Sequence, residues 1–277
     1  MSTVSEGRTR AGDWQLRRSW RAEEPWARVL LLHGLNEHSG RYEHVGAALA
    51  AAGIDVRAHD HRGHGRTWGR RSYLGDFTEF LDDVEDHVAE IRAEDAADGV
   101  PLAILGHSMG GLIAHAYCVS GRPAPDLLVT SGAALEANGV PGWQRRLAGV
   151  LARVAPRLRV GGKIDGAILS RDPEVGRAYH EDPLVPTGVT AALGQAMLDG
   201  MDFHRERAAT LGVPTLVLHG GADELVKPEA TESLTELGSV ERHVLPDMRH
   251  EIFNELGHED VIDRVVAWLR VQVRPLG

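Results

Sequence analysis

The sequence predicts an α/β fold in which helices flank a mostly parallel central sheet, and two observations support this fold class. Short apolar runs rich in branched side chains recur along the 277 residues, and stretches with helical periodicity separate them. Gly, Pro, Asp or His residues bound these runs, which is typical of buried parallel strands. The predicted core strands are residues 29–32, 54–58, 102–105, 127–130 and 215–218, and the predicted helices are residues 42–52, 77–97, 109–120, 228–237 and 259–273.

Two further strands have weaker signals. Residues 13–20 are predicted to form a leading antiparallel strand, and residues 240–245 a final parallel one. Residues 1–12 are small, polar and charged, so we predict a mobile start of the chain.

Composition limits the class of protein. The chain has 43% hydrophobic residues and a formal net charge of −10, which is typical of a globular protein and disfavours nucleic acid as the main partner. No apolar run approaches the roughly 20 residues that cross a bilayer, and the start lacks the basic and apolar pattern of a secretory signal. We therefore predict a cytoplasmic location. The single cysteine excludes an internal disulfide.

Residues 106–111, Gly-His-Ser-Met-Gly-Gly, follow a predicted core strand directly. A Gly-x-Ser-x-Gly sequence between a buried strand and a helix is typical of a nucleophile elbow, a tight turn that lifts a serine hydroxyl out of the sheet. Gly106 and Gly110 suit this turn because larger side chains beside a strained serine would clash. An ordinary strand-to-helix turn can carry the same motif. The apolar helix that follows favours the elbow, with Ser108 as the nucleophile.

A serine hydroxyl is a poor nucleophile at neutral pH, so it needs a base within reach and an acidic group that orients the base. After an elbow, these partners follow in the order Asp or Glu, then His. Asp223 and His250 fit because each follows a predicted strand at its carboxyl end, where open α/β sheets collect functional groups. The competing side chains fit these two roles less well: Glu224, Asp247, His219, His243 and His258.

Acyl transfer also needs N–H donors for the negative oxygen of the tetrahedral intermediate. The first predicted donor is the backbone N–H of Met109, directly after the nucleophile. The second is expected in the loop after strand 29–32, where Gly34 lets the loop bend and the Leu35 N–H donates. His33 and His107 are predicted to support these two turns without side-chain chemistry.

The alternation of strands and helices breaks between residues 132 and 210. We predict a helical cap insertion there, between core segments 1–131 and 211–277. Within it, apolar residues at helical spacing lie opposite arginines, which predicts an amphipathic helix. This helix either packs on the main domain or covers the active site with its apolar face and accepts an acyl chain. The apolar residues are Trp143, Leu147, Val150, Leu151 and Val154, and the arginines are Arg145, Arg146 and Arg153.

A metal site could be argued only for residues 59–65, His-Asp-His-Arg-Gly-His-Gly, where imidazoles and a carboxylate lie close in sequence. The glycines and Arg62 better suit a tight, hydrogen-bonded loop. Cys118 lies in the apolar helix after the elbow, where a cysteine is usually a small buried hydrophobe. We therefore predict no metal, no cofactor and no catalytic thiol.

Several segments together resemble the monoacylglycerol lipase and lysophospholipase group of α/β-hydrolases. They are residues 33–42, 60–65, 106–111 and 250–255. Residues 170–175 and 182–185, with Tyr179 between them, resemble the cap of bacterial monoacylglycerol lipases in particular. The resemblance implies an α/β-hydrolase fold of about eight strands with a mobile helical cap over a tunnel for one acyl chain and a polar end for glycerol. It also implies the catalytic roles predicted above for Ser108, Asp223, His250, Leu35 and Met109.

The predicted function is that of a serine hydrolase that cleaves monoacylglycerol esters through an acyl-enzyme. Its partner is then a small amphiphilic ester, and transient contact of the cap with a membrane surface is a further hypothesis. Alternatives are a lysophospholipase or general carboxylesterase, more distantly a peptidase, and a non-catalytic ligand-binding protein of the same fold. Haloalkane dehalogenases and epoxide hydrolases are disfavoured because their elbows carry aspartate.

Overall fold

Ten strands are present in the structure, a computed structural model that describes residues 1–94, 99–137 and 141–273. Eight of them form the central sheet, in the order β1, β2, β4, β3, β5, β6, β9, β10, and β7 pairs with β8 elsewhere. Strands β3 to β6, β9 and β10 run parallel, while β1 and β2 add antiparallel at one edge. The strands are β1 (Thr3–Arg8), β2 (Trp14–Trp20), β3 (Ala27–Leu32), β4 (Ile54–His59), β5 (Leu102–His107), β6 (Leu127–Ser131), β7 (Arg159–Val160), β8 (Val189–Thr190), β9 (Thr215–Gly220) and β10 (Val240–Leu245).

Seven α-helices accompany these strands within the described ranges, and the predicted α/β fold is confirmed. The helices are α1 (Glu43–Ala51), α2 (Thr78–Glu94), α3 (Met109–Cys118), α4 (Gly142–Val154), α5 (Pro173–Glu181), α6 (Ala191–Arg207) and α7 (His258–Val273). The predicted helix at 228–237 forms as a 3₁₀ helix, Pro228–Glu236. Residues 95–97 of the helix predicted at 77–97 lie outside the described residues.

Alternate residues of β3 pack into two apolar layers on opposite faces of the sheet. Leu30 and Leu32 join the layer formed with α2, α3 and α6, whereas Val29 and Leu31 join the layer formed with α1 and α7. The whole of β3 is buried, as expected for a central strand covered on both faces. Because β3, β5, β9 and β10 run parallel, their carboxyl ends lie at the same edge of the sheet.

The prediction of a mobile start is wrong. Residues Thr3–Arg8 form β1, which pairs with β2 over six residues. Its side chains are mostly exposed, so the apolar pattern gives no sign of a strand. The backbone N–H and C=O groups of β2 provide hydrogen-bonding partners that this segment takes up.

The segment between β6 and β9 contains α4, α5, α6 and the β7–β8 pair. Helix α6 packs on α3, and α4 packs on α6. Four of the five apolar side chains predicted to pack inward on α4 instead face solvent, Trp143, Leu147, Val150 and Val154, while Leu151 is half-buried.

Small residues explain the orientation of α4. Ala148, Gly149 and Ala152 are half-buried and lie on one side of the helix, and Arg145 on the same side bonds Asp202 of α6 at 2.8 Å. Short side chains let the two helices approach each other. The apolar face of α4 therefore neither packs on the main domain nor covers the site, and both predicted placements of that face are wrong. No helix in the described ranges is long and apolar enough to span a bilayer.

Candidate active site

Ser108 occupies the turn between β5 and α3, with φ +53° and ψ −114°. A positive φ strains any residue that has a side chain. The Ser108 N–H donates to the Ser131 carbonyl over 2.9 Å, which holds the turn against β6. A Cβ at Gly106 would overlap the Gly110 carbonyl, and a Cβ at Gly110 would overlap the end of β3. The two glycines are therefore needed where the elbow motif places them.

Asp223 and His250 meet at the carboxyl edge of the sheet. His250 Nδ1 donates to Asp223 Oδ2 over 2.7 Å, and both side chains are buried. Asp223 follows β9 and His250 follows β10, and these two strands are neighbours in the sheet. The N–H groups of Leu225 and Val226 each donate to Asp223 Oδ1 over 2.9 Å. Both carboxylate oxygens are therefore fixed in orientation.

His219, which the sequence analysis named only as a competing side chain, is a further neighbour of Asp223. Its Nε2 lies 2.8 Å from the Val226 carbonyl oxygen and 3.3 Å from Asp223 Oδ2. Because both of these oxygens are acceptors, Nε2 carries the hydrogen. Burial alone would raise the pKa of Asp223, but hydrogen bonds from His219 and His250 outweigh it and hold that pKa below its usual range. Asp223 is therefore ionised at neutral pH.

The loop after β3 runs directly beside the elbow. A Cβ at Gly34 would lie 3.2 Å from the Cβ of Ser108 and 2.8 Å from Glu37 Oε1, so a larger residue would force these neighbours to shift. Leu35 and Ser108 line the same cavity, and Met109 begins α3. Within the described ranges, neither the Leu35 N–H nor the Met109 N–H has a hydrogen-bond acceptor. Both groups remain available as donors.

Hydrogen bonds fix both the carbonyl group and the N–H group of Gly34. His33 Nδ1 donates to the Gly34 carbonyl over 2.8 Å, and His33 Nε2 accepts the His61 N–H over 2.9 Å. Burial lowers the pKa of His33 well below its usual value, so Nε2 remains an acceptor at neutral pH. On the other side, the Gly34 N–H donates to Glu37 Oε1. The peptide that carries the Leu35 N–H is consequently held in one orientation.

Glu37 belongs to a buried charged network that the sequence analysis missed. Arg41 Nη1 lies 3.0 Å from Glu37 Oε2, and the Arg41 guanidinium contacts both oxygens of Glu251 at 2.7 and 2.8 Å. The Tyr42 hydroxyl donates to Glu37 Oε1 over 2.7 Å. Burial raises the pKa of Glu37. For Glu251, burial alone would also raise the pKa, but the charge and hydrogen bonds of Arg41, together with the hydrogen bond from Asn254 and the charge of His107, outweigh burial and lower it. Residues 33–42 contain Glu37, Arg41 and Tyr42, but only the fold brings Glu251 to them.

A cavity of about 470 Å³ opens beside Ser108 and His250. Part of its wall is charged and includes Glu37, Arg41 and Glu251. The rest is mostly apolar but also includes Glu136, Glu224 and Lys227, and no residue of α4 contributes to it. The apolar wall includes Leu35, Ala137, Ile164, Leu169, Met197, Met201 and Val226.

The histidines of residues 59–65 form a buried cluster with neighbouring rings. His59 stacks on His87 with ring centres 4.2 Å apart, and His61 lies 4.2 Å from His33. Burial lowers the pKa of each of these rings, and that of His64 to about 4. Within the described ranges, no three His, Cys, Asp or Glu side chains are arranged as a metal site.

Burial also raises the pKa of the single cysteine thiol to about 12. A thiol with such a pKa is not ionised at neutral pH and is a weak nucleophile. The Cys118 thiol is therefore not activated as a nucleophile.

Comparison with known proteins gives the family. The family model described as "Serine aminopeptidase, S33" matches residues 23–257. A "Monoacylglycerol lipase" from Mycolicibacterium smegmatis is 39% identical over 251 residues, which cover 89% of each chain. The chain belongs to the S33 family of α/β-hydrolases. Human "Monoglyceride lipase" is 32% identical to this S33 chain over 262 residues, which cover 90% of it and 86% of the relative.

The architecture of this S33 chain is also similar to that of solved structures. The Paleococcus ferrophilus monoacylglycerol lipase matches with a TM-score of 0.82 at 30% identity, covering 93% of this chain and 99% of that one. A monoglyceride lipase from Saccharomyces cerevisiae, 22% identical, matches with a TM-score of 0.88 over 98% of this chain and 95% of that one. The match to the yeast structure shows the fold alone.

Proposed function

We propose that this S33 family member hydrolyses monoacylglycerols to a fatty acid and glycerol through an acyl-enzyme. The observation that carries the proposal is that Ser108 and His250, which bonds Asp223, line one cavity whose wall combines a large apolar surface with the charged network of Glu37, Arg41 and Glu251. A monoacylglycerol has the same two-part character. Relatives named as monoacylglycerol or monoglyceride lipases support this substrate class.

In the proposed reaction, Ser108 Oγ attacks the ester carbonyl while His250 Nε2 accepts its proton, because Nδ1 is already bonded to Asp223. The ionised Asp223 orients the imidazole and stabilises the imidazolium. The N–H groups of Leu35 and Met109 bind the oxyanion. His250 then protonates the leaving glycerol oxygen. Water repeats the sequence on the acyl-enzyme and releases the fatty acid.

The two parts of the substrate are assigned to the two parts of the wall. Glycerol hydroxyls can donate to the carboxylates of Glu37 and Glu251 and accept from Arg41, which line the charged part. The acyl chain lies against the apolar part, where burial of its methylene groups stabilises the complex by about 0.8 kcal/mol each. An uncharged polar head also suits a protein with a net charge of −10.

Residues 132–210 are proposed to act as a cap on the core formed by segments 1–131 and 211–277. Ile164, Leu169, Met197 and Met201 from this segment line the cavity. Several hydrogen bonds tie it to the core, including Asn36 Nδ2 to the Gly188 carbonyl at 3.2 Å. A cap that carries most of the apolar wall would select the acyl chain.

The test is a hydrolysis panel of monoacylglycerols of several chain lengths, diacylglycerol, lysophosphatidylcholine and short p-nitrophenyl esters. We expect monoacylglycerols to have the highest kcat/KM and Ser108→Ala to lose several orders of magnitude of rate while remaining folded. Near-normal hydrolysis by Ser108→Ala would refute the mechanism. Failure of a fluorophosphonate probe to label Ser108 would favour a non-catalytic, ligand-binding protein.

A lysophospholipase is the second candidate, because "Phospholipase YtpA" of Bacillus subtilis is 29% identical over 258 residues. The same panel separates the two. A higher kcat/KM for lysophosphatidylcholine than for any monoacylglycerol would select the second candidate.

A cytoplasmic location with transient membrane contact through α4 is also proposed. Trp143 and Val154 expose 64% and 74% of their surface on the unpartnered apolar face. Amphipathic helices with such a face lie at lipid interfaces. Trp143→Glu should reduce sedimentation with uncharged lipid vesicles, and wild-type protein that never sediments with them would contradict the proposal.

A further inference from the structure

A second groove, of about 650 Å³, lies outside the catalytic cavity between the loop that follows β4 and the segment that follows α4. Four arginines line it together with three aromatic residues, and no carboxylate does. The arginines are Arg66, Arg70, Arg71 and Arg157, and the aromatic residues are Trp14, Trp68 and Tyr73.

The positive charge of this groove opposes the charge of the whole chain. Although the protein has a net charge of −10, residues 62–75 contain four arginines and no acidic residue. Residues 141–164, which supply Arg157, contain six basic residues and no acidic one. The groove is therefore a local positive region that attracts anions to an otherwise acidic protein.

Most of these arginines have no protein counter-charge. Arg62, just outside the groove, is neutralised by Asp83, with its Nε and Nη2 at 2.7 and 2.8 Å from the two carboxylate oxygens. By contrast, the side chains of Arg66, Arg70 and Arg157 make no ion pair or hydrogen bond with any described residue. Their charge is available to a ligand.

Other bonds hold the loop that presents these cations. Thr67 Oγ1 accepts the Leu16 N–H over 3.0 Å, and the Trp68 N–H donates to the Trp14 carbonyl over 3.1 Å. Asp60 Oδ2 accepts the Arg66 N–H over 2.8 Å, so this nearby carboxylate organises the backbone. The Tyr73 N–H also donates to the Arg70 carbonyl over 3.1 Å. The backbone that carries Arg66 and Arg70 is therefore fixed before any ligand arrives, which lowers the entropic cost of binding.

We propose that this groove binds the phosphate group of an anionic ligand through Arg66, Arg70 and Arg157. The planar guanidinium group matches phosphate oxygens with two parallel N–H donors, and three such groups around one groove favour a phosphate over a single carboxylate. Trp68, which is 63% exposed, offers an apolar surface beside the anion. The ligand bridges the core loop and the segment after α4. Its source is either a soluble phosphate ester or the headgroup of a membrane phospholipid.

Two binding arms distinguish these sources. Calorimetric titration with glycerol 3-phosphate and with pyrophosphate tests the soluble source. Sedimentation with phosphatidylcholine vesicles, with and without phosphatidylglycerol, tests the lipid source. Both arms measure binding and neither contains a monoacylglycerol, so the result does not depend on the proposed monoacylglycerol hydrolysis. Binding should weaken as salt is added, because it is electrostatic.

Arg70→Glu and Arg264→Glu form a matched pair, since both arginines are exposed, make no side-chain bond with a described residue, and change the net charge equally. Arg264 lies on α7, away from the groove lining. Arg70→Glu should weaken binding at least tenfold in the arm where the wild type binds, and Arg264→Glu should leave it within twofold. Absence of wild-type binding in both arms, or equal losses in the two variants with thermal unfolding unchanged, would overturn the proposal.

Discussion

Replacement of Glu37 by leucine tests whether the Glu37 carboxylate holds the loop that carries the Leu35 N–H in position. Glu37 Oε1 accepts the Gly34 N–H, and Leu35 follows directly. Leucine has a similar size but no acceptor, so the Gly34 N–H and the Tyr42 hydroxyl both become unpaired donors in a buried place. Arg41 keeps both of its bonds to Glu251, so the change leaves no cation unpaired.

The expected effect follows from the lost hydrogen bond. A hydrogen bond from the Gly34 N–H to a charged group contributes about 2 kcal/mol, and without it the loop no longer stays in the position that suits the transition state. Since each 1.36 kcal/mol corresponds to a tenfold change in rate, the displaced loop lowers kcat/KM about 30-fold. Complete loss of one oxyanion donor, about 3 kcal/mol, sets an upper limit of about 100-fold to 200-fold.

The assay uses p-nitrophenyl butyrate, which lacks glycerol, so a residue that only contacts glycerol would not affect it. Glu37→Gln is the matched control: its amide oxygen still accepts the Gly34 N–H, and its kcat/KM should stay within about fivefold of wild type. The inhibition constant of a trifluoromethyl ketone, which mimics the tetrahedral intermediate, should rise in parallel with the loss of kcat/KM. The reasoning is refuted if Glu37→Leu, folded by circular dichroism, retains wild-type kcat/KM and wild-type inhibitor affinity.

Three further predictions concern the same site and its surroundings. Asp223→Asn should lower kcat by about 10³-fold to 10⁴-fold because His250 loses its carboxylate partner, and steady-state kinetics showing less than a tenfold loss would contradict the assigned role. His64 and His87 have pKa values of about 4 and about 3, below the usual 6.5, so they stay neutral when folded and take up protons on unfolding in acid. Their contribution to stability is complete above pH 6.5 and is lost as the pH falls. These two rings alone account for about 4 kcal/mol between pH 7 and pH 5, and His33, His59 and His61, whose pKa values burial also lowers, add to the loss. Urea unfolding at the two pH values measures this loss, and an equal free energy of unfolding at both would show that these rings are not buried as neutral groups. Gly110→Ala should abolish ester hydrolysis and lower the melting temperature, since its Cβ would overlap the backbone of β3, and a fully active, equally stable variant would disprove that close contact.

The sequence by itself was sufficient to predict the fold and the residues that the structure brings together at the sheet edge. Parallel core strands are buried on both faces, so each is a continuous apolar run that can be recognised locally. The elbow around Ser108 is also local, since five consecutive residues define the turn. Asp223 and His250 could be chosen because functional groups in this class of fold follow strands at their carboxyl ends.

Features that depend on contacts between residues distant in sequence were decided only by the tertiary structure. An apolar stripe shows which face of α4 is hydrophobic, but the small residues on its other side determined which face packs on α6. The pairing of β1 depends on an available edge of β2, and its exposed side chains give no periodic signal. Glu251 joins Glu37 and Arg41 only after more than 200 residues of chain have folded between them. Charge and hydrogen-bond partners at such distances are set by packing, which local sequence patterns do not encode.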